Sequence, residues 1–190
     1  MKRIRIIGII IVALLVVGGA LYLFMPMFDL VGRTSQSAAS TPLVAYVPKS
    51  SGREVGTGEK EYYNQQYTFS LLYPDNLTVK EFPEVGGAMT ITFEQDDGKT
   101  LSGFQIFIVP FAGSQITSER FKQDNPSGVR KNLKDITLDG ATGASFYSTN
   151  ATLGDTAEVW FTHSGYLYEV TTFKELDTWL ADILATWRFL

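Results

Sequence analysis

His163 is the one histidine of the chain, and Ser164 follows it directly. Serine and histidine are two members of a nucleophilic triad, but that chemistry needs the imidazole turned toward the hydroxyl. Neighbouring residues on a strand point to opposite faces, and no glycine-flanked serine elbow occurs. His163-Ser164-Gly165 reads instead as a hairpin turn with its histidine in water. Glu94, Asp96 and Asp97 precede Gly98 and offer oxygen ligands of the kind Ca²⁺ takes. They lack the spacing of a helix–loop–helix calcium loop, so an ordinary polar turn is the simpler reading. The absence of cysteine removes thiol nucleophiles, thiolate metal sites, disulfides and lipidation together. No dinucleotide-binding glycine motif, P-loop or zinc-protease helix is present. Asn76-Leu77-Thr78 and Asn150-Ala151-Thr152 match the glycosylation pattern, which matters only in a eukaryotic secretory route. The sequence therefore predicts no catalytic residue, no cofactor and no metal site.

What remains is aromatic. Tyr62, Tyr63, Tyr67, Tyr73, Tyr147, Trp160, Tyr166 and Tyr168 fall mostly on strand patterns. Most are expected to pack beneath other elements. The sharper alternative is a recognition surface on the Trp160–Tyr168 hairpin, formed by Trp160, Tyr166 and Tyr168.

Strands must position these residues. Tyr62-Tyr63, a turn at Asn64-Gln65-Gln66, and Tyr67-Thr68-Phe69-Ser70-Leu71 read as a hairpin, followed by a Tyr73-Pro74-Asp75-Asn76 turn. Leu77 to Phe82 is a strand. Met89, Ile91 and Phe93 alternate with threonines, the mark of a half-buried strand. Phe104 to Val109 is apolar on both faces, as expected of a covered central strand. Thr117 is a candidate N-cap, with Ile116 and Phe121 placed as a hydrophobic staple. A second short helix is expected over Ser127 to Leu133. Asp139-Gly140 signals a tight turn. Three strands, 144–149, 156–162 and 166–173, then form a meander. Thr172 and Glu175 have capping-box spacing before a helix whose apolar stripe is Leu176, Trp179, Leu180, Ile183, Leu184 and Trp187.

Ahead of all this lies Ile6 to Met25, 20 uncharged residues closed by Pro26. At about 1.5 Å rise per residue it spans roughly 30 Å, a bilayer's hydrocarbon core. Lys2, Arg3 and Arg5 precede it, which places the N-terminus in the cytoplasm. A cleaved signal peptide would be shorter and would end in small residues rather than Leu21-Tyr22-Leu23-Phe24-Met25. The organisation expected is a cytoplasmic end (1–5), a transmembrane anchor (6–25), a Ser/Gly/Thr-rich flexible linker (26–60) and an extracytoplasmic α+β domain (61–190). The bilayer is thus one partner, through residues 6–25. Residues 1–60 hold seven Lys/Arg against three Asp/Glu, and 61–190 hold nine against 17. So acidic an outer domain argues against nucleic acid as a partner.

The run YYNQQYTFSLLYPDNLTV resembles the opening of the Mog1/PsbP-like superfamily, through Tyr67, Phe69, Ser70, Tyr73, Pro74, Leu77 and Val79. The strand ending at Pro110, a helix around Glu119 to Leu133, DITLDGATGASFY, AEVWFTHSGYLYEV and the close at Arg188-Phe189-Leu190 extend the similarity. The resemblance implies an antiparallel sheet between helices, an α/β/α sandwich. It also implies a binding or assembly role with a protein partner at the outer membrane face, and it carries no catalytic set over. The competing expectation is a hydrolase or ligand-processing enzyme whose carboxylates come together only on folding.

Overall fold

The computed structural model describes residues 50–95, 102–126, 128–150 and 153–190. The anchor at 6–25, most of the linker, and the Asp96-Asp97-Gly98 turn lie outside the described residues. Among those described, no helix is long and apolar enough to cross a membrane.

Among the described residues ten strands form two antiparallel sheets. They are β1 (Glu59–Asn64), β2 (Phe69–Pro74), β3 (Leu77–Pro83), β4 (Met89–Gln95), β5 (Gly103–Pro110), β6 (Lys131–Leu138), β7 (Ala141–Asn150), β8 (Gly154–His163), β9 (Tyr166–Phe173) and β10 (Arg188–Phe189). The larger sheet runs β3-β4-β5-β9-β8-β7-β6, and the smaller runs β1-β2-β10. Two short helices complete the fold, α1 (Ser118–Asp124) and α2 (Asp177–Leu184).

Local chemistry explains the hairpins. Asn64 Oδ1 accepts the Tyr67 N–H at 3.0 Å and closes the β1–β2 turn. Asp139-Gly140 and Ser164-Gly165 both take the left-handed pairs of φ that a two-residue hairpin needs, 45° and 85° in the first and 48° and 82° in the second. At the α1 start, Thr117 Oγ1 accepts the Arg120 N–H at 3.1 Å, so the N-cap forms as expected.

The main core lies between the two sheets. Phe69 stacks on Trp187 with centroids 4.2 Å apart, and Phe93 stacks on Phe104 at the same distance. Tyr62 meets Phe93 edge-on at 5.3 Å. Leu180, Ile183 and Leu184 of α2 close this core beside the smaller sheet. On the opposite face of the larger sheet, Phe121 of α1 packs on Phe146, Trp160 and Leu167. One face therefore carries α1 and the other carries a second sheet with α2. Among the described residues the helices span seven and eight residues, and the fold is mainly antiparallel sheet.

Other expectations change in detail. Lys131 to Leu138 is an edge strand paired with β7 rather than part of a helix continuing to Leu133. Long-range pairing outweighs a weak local helix signal there. Thr172 is inside β9 and donates to the Gly103 carbonyl at 2.7 Å, so no capping box forms. A 3₁₀ turn at Lys174–Leu176 intervenes, and Leu176 precedes α2 without a side-chain cap. β4 is buried on both faces over Met89 to Phe93, threonines included, rather than on one. β5 is interior in the sheet, but its second face is only half-buried.

Residues 50–60, the end of the segment read as linker, are held. Glu61 accepts from Ser50 Oγ at 3.1 Å, from the Ser51 N–H at 3.0 Å and from Ser51 Oγ at 2.5 Å. Burial raises the Glu61 carboxyl's pKa, but these bonds together outweigh it and hold the group below its ordinary value. Arg53 Nη1 donates to the Thr186 carbonyl at 2.5 Å.

Candidate functional site

The sequence-selected residues are dispersed. Trp160 is 2% exposed and lies under α1, whereas Tyr168 is 0% exposed and lies in the main core on the other face of the sheet. Tyr166 is half-buried and meets Tyr67 edge-on at 5.1 Å. Tyr166 and Tyr168, two apart on β9, turn to one covered face of the sheet and Trp160 of β8 to the other, so the three form no common surface. His163 ends β8 opposite Tyr166 instead of standing in the turn, and its ring lies on Phe189 at 3.6 Å. Glu94 pairs with Lys80 at 2.8 Å. Among the described residues no acidic or histidine group is arranged to hold a metal.

A groove opens where α2 passes over the edge of the larger sheet. Its volume is about 500 Å³. Ser145 and Tyr147 of β7 and Ala157 and Val159 of β8 form the floor, Leu180 and Ala181 of α2 one wall, and Asn132 to Lys134 the other. The sheet builds this opening by a local irregularity. Register shifts by one residue between Lys131 and Lys134, and Asn132 adopts a left-handed φ of 55°. Such a bulge bends an edge strand away from its partner and leaves the floor uncovered.

The groove combines apolar floor with polar rim. The Tyr147 hydroxyl donates to Asp177 Oδ2, joining floor to helix. That bond raises the tyrosine's pKa and lowers the aspartate's, so the pair stays a phenol and a carboxylate across neutral pH. Lys174 Nζ stands 5.2 Å from the Tyr147 ring centre. Leu133, on the bulge, is 51% exposed. Among the described residues no activated nucleophile or paired acid and base lines this space.

A second polar group lies beneath α1, and one of its members, Glu158, also borders the groove. Glu158 accepts from Thr156 Oγ1 at 2.7 Å, Thr171 Oγ1 at 2.6 Å and Trp160 Nε1 at 3.3 Å. Burial still raises its pKa despite these three bonds. Glu169 is pushed well above the ordinary carboxylate range, first by burial and then by the facing Asp124. Sequence reasoning passed over both glutamates and counted Tyr147 among the strand aromatics without assigning it to the recognition surface. The signal was available: AEVWF and YLYEV each put a charge on an otherwise apolar strand. The groove had no comparable signal, because its walls come from segments some forty residues apart.

The strand order, the two-sheet core and the paired short helices can be set beside known structures. The solution structure of cyanobacterial PsbP (CyanoP) from Synechocystis sp. PCC 6803 superposes with a TM-score of 0.52 at 12% identity. The match covers 74% of this chain and 98% of that one. The fold is PsbP-like. No protein-family profile matches the chain, and no curated protein matches it in sequence. The PsbP-like resemblance thus rests on the shape of the backbone, which at this identity speaks for fold alone.

Proposed function

We propose that this PsbP-like domain is a non-catalytic binding or assembly module that engages a protein partner through the groove between α2 and the β6 bulge. The observation that carries the reading is the groove itself, which sets Ala157, Val159 and Leu180 beside Tyr147, Asp177 and Lys134 without catalytic geometry. The domain is held outside the cytoplasm by residues 6–25 as a single-pass anchor, on the strength of the uncharged run and the basic residues before it.

The test places a photo-crosslinking residue at Ala181 or Leu133, on the two walls, and a control at exposed Lys60. Groove positions should give one discrete adduct in intact cells that the control does not give. Tyr147→Ala with Lys134→Glu should abolish it while the isolated domain keeps its unfolding transition. Equal labelling at all positions, or an adduct indifferent to the double substitution, would overturn the groove as the contact.

A further inference from the structure

The carboxyl groups beneath α1 outnumber the cations available to them. Glu169 is 8% exposed on β9, and its Oε1 has no hydrogen-bond partner. The charged groups facing it are Asp124 and Arg120 of α1 and Glu158 of β8. β5 brings only Phe107, directly opposite, and Gln105 diagonally. Arg120 is already engaged by Asp124 through an i,i+4 ion pair. Three ionised carboxylates against one partly exposed guanidinium would leave two uncompensated negative charges around the buried Glu158 and Glu169, which is strongly unfavourable. A proton bound between Glu169 and Asp124 removes one of these charges and supplies a carboxyl–carboxylate hydrogen bond.

The rest of the α1 attachment is small. The helix spans seven residues and buries one of them, Phe121, against Phe146, Trp160 and Leu167. Asn125 Nδ2 reaches Ser148 Oγ at 3.2 Å beyond its last turn. So short a helix has little stability of its own and depends on these few contacts.

We propose that Glu169 and Asp124 form a proton-dependent latch that fastens α1 to the larger sheet, and that loss of the shared proton releases α1 and uncovers an apolar face made by Phe146, Trp160 and Leu167. The sign follows from linkage. A carboxyl with a raised folded-state pKa contributes its full stability below the ordinary value, about 4.5. That stability is lost as pH rises through the folded value. Opening of α1 releases one proton throughout this window. The opening constant should therefore rise about tenfold per pH unit and level off once the folded value is passed. Glu158 titrates in the same direction, which makes the two carboxyls separable only by substitution.

Hydrogen exchange of the α1 amides, corrected for the intrinsic pH dependence of exchange, reads this opening directly. Amides of β2 and β4 report global unfolding in the same experiment. In the wild-type domain, the α1 amides should open more readily than those of β2 and β4, and their opening constant should rise with pH above 4.5. Glu169→Gln, whose amide can donate to Asp124 as the protonated acid does, should remove most of this rise and keep α1 closed. Glu169→Met, which neither titrates nor needs a partner, serves the same purpose if the glutamine variant fails to fold. A wild-type α1 profile without pH dependence would overturn the latch. So would a rise that persists in both Glu169 variants, or one that disappears only in Glu158→Gln, since the proton would then sit on Glu158.

Discussion

Trp187 shows two opposed effects meeting in one side chain. It is fully buried and lies flat on Phe69, yet its indole N–H has no partner. Burying a large aromatic contributes several kcal/mol, whereas an unsatisfied buried donor costs about 1–3 kcal/mol. Trp187→Ala should therefore destabilise the domain by about 3–5 kcal/mol. Trp187→Phe keeps the stacked ring and removes the orphan donor, so it should cost less than about 2 kcal/mol. Urea unfolding of both variants decides the matter; equal losses would mean that ring stacking is not what this residue contributes. The same scale separates His163 from Tyr147. Both carry a ring on a strand, but His163 is spent on Phe189 while Tyr147 faces an open groove and holds Asp177.

At the level of elements, β1 depends on residues that precede it. Its outer carboxylate, Glu61, takes three hydrogen bonds from Ser50 and Ser51, and β1 itself begins at Glu59. A domain cut at residue 61 would lose the first two pairs of the β1–β2 ladder, Glu59 with Pro74 and Lys60 with Tyr73, as well as the serine contacts and Arg53. Residues 50–190 should consequently unfold at a higher temperature than 61–190, by several degrees for a loss of about 1–2 kcal/mol. Differential scanning calorimetry of the two fragments measures it, and identical midpoints would show that the serine clasp contributes nothing. The edge strand β6 makes the converse point. Its bulge at Asn132 weakens pairing with β7, and that same irregularity opens the groove.

For the molecule as a whole, the proposed arrangement is a PsbP-like domain outside the membrane, tethered by its N-terminal segment. Protease added to spheroplasts should digest the domain and spare the first residues of the chain. Protection of the domain, or a mature N-terminus beginning after residue 25, would refute that topology. The groove lies on one face of the larger sheet and the α1 latch on the other. The two sites meet at β8, which supplies Ala157, Val159 and Glu158 to the groove lining and turns the Glu158 and Trp160 side chains toward α1.

By itself the sequence determined what depends on near neighbours. The turn at Asp139-Gly140, the cap at Thr117 and the existence of β3, β4 and β7 to β9 as strands were legible because their causes lie within a few residues. It also marked the apolar stripe ending in Trp187, though not that Trp187 would leave the helix and stack on Phe69. Tertiary structure alone decided the rest. Lys131 to Leu138 became a strand because β7 offered it a ladder, and Thr172 became a sheet residue because β5 and β8 flanked it. Trp160 and Tyr168 were parted because both faces of the sheet are covered, one by α1 and one by a second sheet. Glu169 met Asp124, and Tyr147 met Asp177, across chain separations that no local pattern encodes. Pairing and burial between distant segments follow from the packing of the whole chain, and both candidate sites are products of that packing.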